Sequence, residues 1–499
     1  MAKKKRGADQ TDQLSPRQTA FESAWNRFKP LVPEDELAEL EASLSLALEP
    51  AIRLNPQKKY GSGILQLERR YGWQAEPVAF CADAYKLQHT GETAPGQTNE
   101  HRAGAFYIQD SASMLPVTLF DQELLQNRPL ILDLAASPGG KTTHLSAASR
   151  ESGLILANDS SASRITALKK VLRNWGSVNH LISNFPGEFF GSWFPDTFDI
   201  VLLDAPCSMQ SLVSIDSHPM RPISEREEAA LAQRQLQLLT SAMNALKPGG
   251  QLVYSTCTLS PLEDELVVDQ LLKQFGSAVQ VVDVQSRLPR PAPGLAVVDG
   301  VALDASLTGT VRLWPHRLGT AGFFAALLKK KEPAGFSGNR EQAPERPWER
   351  SGFQPLVASA RADLTAEFSE LFGIDFQKYL DEKMNVLWAR EDEIWVLPEH
   401  LFDSPLTGLP LKSAGLRIAY KTSAGWMPDF DFASLIFDRV QSGRYQLDET
   451  LTAAWLRKED LRISVPGAKK GSVLFMEDPY QVFIGCGVVS GERIRNLKK

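Results

Sequence analysis

From about residue 129 the chain alternates short apolar runs with amphipathic stretches, a rhythm that few folds accept. The strand candidates are 130–134, 153–157, 179–183, 198–203 and 251–255, each bounded by turn residues. Helical patterns lie between them, as in Ser161 to Trp175 and Glu225 to Leu246. This alternation predicts a parallel sheet with helices on both faces, an α/β architecture. In such sheets ligands bind beyond the carboxyl ends of the strands, near the point where strand order reverses. The loops that follow the strands are therefore the places to look for chemistry.

The first of these loops is rich in small residues. Ile131-Leu132-Asp133-Leu134 leads into Ala135-Ala136-Ser137-Pro138-Gly139-Gly140-Lys141 and a helix beginning near Thr142. Glycines there let backbone pass close to a ligand, and the helix start offers free N–H groups. Asp159 follows Gly139 by 20 positions, at the end of the next strand, where an acid commonly takes ribose hydroxyls. A phosphate-binding P-loop would need glycine where Ala135 stands, and the G-x-G-x-x-G dinucleotide pattern is absent. A nucleoside cofactor without a phosphate chain remains, and S-adenosylmethionine fits. The competing reading is a plain glycine turn with no ligand; Asp159 favours the cofactor.

Two later loops carry thiols 50 positions apart. Cys207 stands in Asp204-Ala205-Pro206-Cys207-Ser208, after Ile200-Val201-Leu202-Leu203, and Cys257 in Tyr254-Ser255-Thr256-Cys257-Thr258, after Gln251-Leu252-Val253. If 198–203 and 251–255 are adjacent fourth and fifth strands, both thiols emerge at the same edge as the glycine turn. Carbon 5 of cytosine is a poor nucleophile until a thiolate adds to carbon 6 and turns the ring into an enamine. Carbon 5 can then attack an electrophilic methyl group, after which its proton and the thiol must leave. That reaction wants a nucleophilic cysteine, a group hydrogen-bonding ring nitrogen 3, and help at elimination. Cys257, Asp204 and Cys207 supply matching side chains. Otherwise a lone cysteine is a small core hydrophobe, the reading taken for Cys81 and Cys486, and Asp204 is a helix cap.

The chain has 499 residues, enough for about three domains. No apolar run approaches a bilayer span, and the basic start Met1 to Arg6 lacks the apolar segment of a secretory signal. The four cysteines form no C-x-x-C pair and no His/Cys cluster, which argues against a zinc site and a disulfide framework. A cytoplasmic, monomeric protein without metal or membrane attachment is expected. With a net charge of −6, nucleic-acid binding would rest on local basic patches: residues 3–6, Lys329-Lys330-Lys331, Lys469-Lys470 and Arg493 to Lys499. Residues 1–17 read as a disordered basic tail, and Leu37, Leu40, Leu44 and Leu48 as one helix stopped by Pro50. Residues 331–350, with Pro333, Gly335, Gly338, Pro344 and Pro347, read as a linker. Beyond it, Val386-Leu387-Trp388 with Ile394-Trp395-Val396, and Val473-Leu474-Phe475 with Val482-Phe483-Ile484, predict two hairpins in a small mixed α/β region.

Taken in order, several segments resemble the Sun-type family of RNA cytosine-5 methyltransferases, closest to the bacterial branch acting on small-subunit (16S) ribosomal RNA. They are Arg53-Leu54-Asn55, Gly104 to Pro116, Asp133 to Thr143, Asn158 to Arg164, Leu203 to Ser208, Pro248 to Thr258, and Pro315-His316-Arg317 with Gly322 to Ala325. The resemblance implies a Rossmann-like methyltransferase core over 121–330. It also implies an N-terminal α/β RNA-binding domain over 18–120 and a small C-terminal α+β, PUA-like RNA-binding module within 351–499. It implies Cys257 as nucleophile, Cys207 as aid to adduct release, and Asp204 at the cytosine ring and beside the cofactor. Ala135 to Lys141 would wrap S-adenosylmethionine, Asp159 would take its ribose, and Arg164 and Lys141 would support it.

Three departures from the family pattern stand out. Met209-Gln210 follow Ser208 where glycine is usual. Pro186 replaces an Asp that commonly touches adenine, with Asn184 a candidate substitute, and a displaced basic residue has Arg221 as its nearest counterpart. Three other readings compete: a DNA cytosine methyltransferase with Cys207 as nucleophile, a non-catalytic ribosome-assembly factor, and a small-molecule methyltransferase.

Overall fold

The computed structural model describes residues 16–58, 63–213, 220–333, 341–423 and 425–497. The basic tail up to residue 15, Lys498-Lys499 and residues 334–340 of the expected linker lie outside the described residues.

The N-terminal region forms a four-stranded antiparallel sheet of β1 (Ala51–Leu54), β2 (Gln74–Pro77), β3 (Ala84–His89) and β4 (Phe106–Ile108) in the order β2-β3-β1-β4. The helix expected up to Pro50 covers only Leu37–Leu44. Ser43 Oγ donates to Leu40 O at 2.7 Å, a local bond that competes with the helical ladder, and Leu48 falls in irregular chain.

The strands read from the sequence are all present. They are β5 (Leu130–Asp133), β6 (Leu154–Asn158), β7 (His180–Ser183), β8 (Phe198–Asp204) and β9 (Leu246–Thr256). They run parallel in the order β9-β8-β5-β6-β7. The chain therefore fills one side of β5 first and the other afterwards, so order reverses between β5 and β8. Antiparallel strands extend both edges. After β10 (Val279–Val281) and a short hairpin, β11 (Val297–Val298) with β12 (Val301–Ala302), come β13 (Val311–Leu313) and β14 (Phe323–Lys330). β14 joins β9, and β10 and β13 join β14.

Two-residue periodicity divides the sheet's faces. Along β8, Val201 and Leu203 pack with Leu238, Leu239, Met243 and Val268 from the helices Glu225–Ala245 and Glu265–Phe275. Ile200 and Leu202 face the other way, with Leu115 and Leu145. Ser224 starts the helix Glu225–Ala245 by accepting the Glu227 N–H at 3.2 Å, and Glu225, Glu227 and Glu228 suit its positive end.

The C-terminal region supplies a five-stranded sheet from β15 (Gln354–Pro355), β16 (Asn385–Arg390), β17 (Glu393–Pro398), β19 (Leu416–Thr422) and β20 (Gly425–Pro428). β18 (Ser413–Ala414) instead extends the central sheet by pairing with β7. A last sheet joins β21 (Arg444–Gln446), β22 (Val473–Glu477), β23 (Phe483–Val489) and β24 (Ile494–Asn496). Both expected hairpins are there, as β16–β17 and β22–β23. Leu397, Leu401, Leu406 and Leu409 share a core with Leu154, Leu156 and Leu181, so this region covers the face of β6 and β7. The linker's far end is likewise packed: Trp348 stacks on Phe353 at 5.5 Å between ring centroids.

One expected basic patch is corrected. Lys330 points inward, because strand alternation reverses it relative to exposed Lys329. Its Nζ donates to Leu246 O at 2.7 Å and Met243 O at 3.0 Å, capping the end of the helix Glu225–Ala245, and pairs with Asp196 at 2.7 Å. Lys469, Lys470, Arg493 and Arg495 are exposed as expected. Among the described residues no helix is long and apolar enough to cross a membrane, and no group of three or more His, Cys, Asp or Glu could hold a metal.

Candidate active site

The carboxyl ends of β5, β6, β8 and β9 open into one cavity of about 740 Å³. The turn after β5 forms its floor. Ala135, Ala136, Ser137, Pro138, Gly140 and Lys141 line it, while Gly139 does not. Gly139 has φ +116°, and a Cβ there would come within 3.0 Å of Val171, so glycine is required by backbone and packing together. A Cβ on Gly140 would lie 2.8 Å from the Tyr107 ring, a contact that brings β4 against the turn.

Asp159 begins the loop after β6 on the cavity wall. Its oxygens accept the N–H groups of Ser137 at 3.2 Å and Ser161 at 2.8 Å, which links the two loops. Arg164 reaches back with its guanidinium 3.7 Å from Asp159 and also donates to Ser137 O.

Lys141 Nζ lies 2.7 Å from Asp204 Oδ2, and Ser255 Oγ donates to Asp204 Oδ1 at 2.8 Å. Burial opposes the ammonium form of Lys141, but the Asp204 carboxylate outweighs it and raises its pKa above the ordinary value. Beside this pair the sulfurs of Cys207 and Cys257 are 3.2 Å apart. The bond to Cys257, with burial, holds the Cys207 thiol well above its usual pKa. The structure thus brings together Cys207, Cys257, Asp204, the glycine turn, Asp159 and Arg164. The other two cysteines stand apart: Cys81 is buried with its sulfur 3.9 Å from His144 Nε2, and burial pushes the Cys486 thiol up.

Residues 123–329 match the family described as 16S rRNA methyltransferase RsmB/F, and residues 22–111 match the N-terminal domain of 16S rRNA methyltransferase RsmF. Ribosomal RNA small subunit methyltransferase F of Aeromonas salmonicida is 32% identical over 460 residues, covering 92% of this chain and 91% of that protein. The chain belongs to the RsmF family of 16S rRNA methyltransferases. The Serratia proteamaculans protein of the same name is 31% identical, covering 93% of each chain. Among solved structures, a methyltransferase homolog from Pyrococcus horikoshii is 27% identical with a TM-score of 0.51, covering 64% of this chain and all of that one. NSun6 from Pyrococcus horikoshii, solved with SFG, is 18% identical with a TM-score of 0.50, covering 63% of this chain and 98% of that one, and shares the fold.

Within this RsmF-family frame, several cavity residues sit in motif segments to which the sequence reading gave no role in the site. Tyr107, Gln109, Asp110 and Ser113 bring a wall from the N-terminal region, and Phe323 brings one from β14. The segment Gly104 to Pro116 carries a signal as a motif, but nothing local shows that it faces a turn 30 residues later. Asp133 Oδ1, at the end of β5, is buried without a hydrogen-bond partner. Burial raises the Asp133 pKa to about 7 against the opposing bond from Thr142.

Of the departures, Met209 lines the cavity with φ +58°, and Gln210 is buried, donating to Arg221 O at 2.7 Å. Asn184 donates to Asp159 O at 2.7 Å, and Gly187 rather than Pro186 or Asn184 lines the cavity there. Arg221 pairs with Glu227 and is not among the lining residues.

Proposed function

We propose that the chain methylates carbon 5 of a cytosine in 16S ribosomal RNA through a covalent adduct at Cys257, with S-adenosylmethionine as methyl donor. The observation that carries this reading is the 3.2 Å approach of Cys207 and Cys257 sulfurs beside the Lys141–Asp204 pair, in a cavity floored by the glycine turn. A volume of about 740 Å³ suits a nucleoside cofactor and a base together. The unpartnered buried Asp133 oxygen supports a cationic ligand on that wall, and Asp159 and Ser137 suit a ribose.

S-adenosylmethionine, when bound, supplies an electrophilic methyl group. Cys257 adds as thiolate to carbon 6 of the flipped base, making carbon 5 nucleophilic. Asp204, fixed by Lys141 and Ser255, presents its carboxyl edge to the ring. After methyl transfer the carbon-5 proton passes to water, its bonding pair re-forms the 5,6 double bond, and the carbon–sulfur bond breaks with Cys257 leaving as thiolate. Cys207, adjacent to that sulfur, assists this release. The exposed cations of the C-terminal region, Lys469, Lys470, Arg493 and Arg495, supply phosphate contacts, so binding weakens as salt rises.

The test uses RNA carrying 5-fluorocytosine, which cannot lose the carbon-5 substituent. Cys257→Ala abolishes the trapped adduct and Cys207→Ala retains it. An adduct lost only with Cys207→Ala would favour the order of events in DNA cytosine methyltransferases.

A further inference from the structure

Glu263 is buried in the segment that leads from Cys257 to the helix Glu265–Phe275, and its carboxylate reaches across to the Cys207 loop. Its Oε2 accepts the Ser208 N–H at 2.9 Å and Gln235 Nε2 at 2.8 Å, and its Oε1 accepts the Ser208 hydroxyl. Gln235 also donates to Pro206 O at 2.9 Å. The residues on either side of Cys207 are therefore held by Glu263, directly at Ser208 and through Gln235 at Pro206. On the Cys257 side, Ser208 Oγ lies 3.1 Å from Thr258 Oγ1, and Tyr254 Oη donates to Glu263 O at 2.5 Å.

The anchor is itself braced. Thr256 Oγ1 donates to Asp264 at 2.5 Å. Arg312, fully buried, pairs with Asp264 at 3.1 Å and with Glu265, and donates to Leu259 O at 2.9 Å. Burial raises the Glu263 pKa, and the Ser208 and Gln235 bonds only partly offset it. An apolar side chain would fill this space without the desolvation of an acid. Only an acid offers acceptors in the three directions that Ser208 and Gln235 require.

We propose that Glu263 is a positioning residue that holds the Cys207 loop against the Cys257 loop and so keeps the two sulfurs in register for release of the methylated base. The proposal rests on the reading in which Cys257 forms the adduct and Cys207 helps resolve it. Adduct formation needs Cys257 alone and survives loss of Glu263. Resolution needs both sulfurs and does not.

The experiment compares Glu263→Ala, Glu263→Gln and Ser208→Ala in the full chain, with 16S ribosomal RNA and S-adenosylmethionine. Glu263→Ala is expected to lower kcat about tenfold or more, since a misplacement near 1 Å can cost 10²-fold. The KM for S-adenosylmethionine should stay within about twofold. A covalent protein–RNA species should accumulate with ordinary cytosine, which a loss of general stability would not produce. Glu263→Gln, with its amide oxygen accepting the Ser208 N–H and Gln235 Nε2 and its NH2 donating to the Ser208 hydroxyl, keeps these ties and should restore most turnover. Wild-type turnover in Glu263→Ala, or equal loss of adduct formation and turnover, overturns the proposal. If Glu263→Ala does not fold, Ser208→Ala removes one tie with the acid in place, and unchanged resolution there overturns it as well. An adduct persisting in Cys257→Ala on 5-fluorocytosine RNA would instead sink the assignment of Cys257 as nucleophile, whatever Glu263 does.

Discussion

The ammonium of Lys141 and the carboxylate of Asp204 meet at 2.7 Å although 63 positions separate them. One follows β5 and the other ends β8, the two strands between which the sheet order reverses. Each charge makes the other tolerable in a partly buried site, and Ser255 completes the carboxylate's bonding at 2.8 Å. Both residues line the cavity.

Asp204→Asn removes that charge with little change of shape. Methyl incorporation into 16S ribosomal RNA is expected to fall by about 10²- to 10⁴-fold, the usual scale for a positioned acid–base group. Binding of S-adenosylmethionine, followed by calorimetry, should change only a few fold. Incorporation within a factor of two of wild type would remove Asp204 from the reaction.

Asp133 gives a pH dependence. Its carboxyl is raised to about 7 by burial, so the fold favours its protonated form. Its contribution to stability is full below the unfolded value near 4 and is lost as pH rises through about 7. A cationic ligand at the free Oδ1 pulls the other way and draws the proton off. Affinity for S-adenosylmethionine should therefore rise between about pH 6 and 8, with proton release visible when two buffers of different ionisation enthalpy are compared. Asp133→Asn should flatten that profile.

Arg53 enters the core from β1. It donates to Gly140 O at 3.0 Å and to Thr143 Oγ1 at 2.7 Å, and its guanidinium lies 4.6 Å from the Trp175 ring centroid. Two of its nitrogens have no partner, and burial lowers its pKa to about 10. Arg53→Met exchanges two hydrogen bonds for relief of a partly unpaired buried cation, so stability should shift by only about 1 kcal/mol. Arg53→Ala adds a cavity and should cost about 3 kcal/mol. Urea unfolding separates the two; equal losses would mean the charge, not the volume, matters.

The two glycines of the turn should fail differently. Gly139→Ala strains the backbone and crowds Val171, costing roughly 1–3 kcal/mol by thermal unfolding. Gly140→Ala stands in a helix, where alanine is preferred, but its Cβ meets Tyr107 on the cavity wall. Tyr107 must shift to admit it, so the variant's melting temperature should fall less than that of Gly139→Ala while cofactor affinity drops. The reverse pattern would place the ligand elsewhere.

Much of this was legible along the chain because it depends on neighbours. β5 to β9 announce themselves through apolar runs between turns, and β8 and β9 carry Cys207 and Cys257 just past their ends. The C-terminal hairpins are read from apolar triplets on either side of Glu391-Asp392-Glu393 and Asp478-Pro479. Leu48 misled because spacing alone cannot show that Ser43 bonds the Leu40 carbonyl. Lys330 misled because three lysines in a row look solvated until a strand turns the middle one inward.

The amino-acid order by itself determined the parallel core, the glycine turn and the placing of both thiols at strand ends, since period, turn chemistry and strand succession act over short stretches. Tertiary structure alone decided that Tyr107 and Gln109 wall the cavity, that Arg53 braces the turn, that Glu263 ties one thiol loop to the other, and that Leu397 and Leu401 roof β6 and β7. Those contacts join segments tens to hundreds of residues apart. Their energies exist only once folding has brought the surfaces together, so no local pattern carries them.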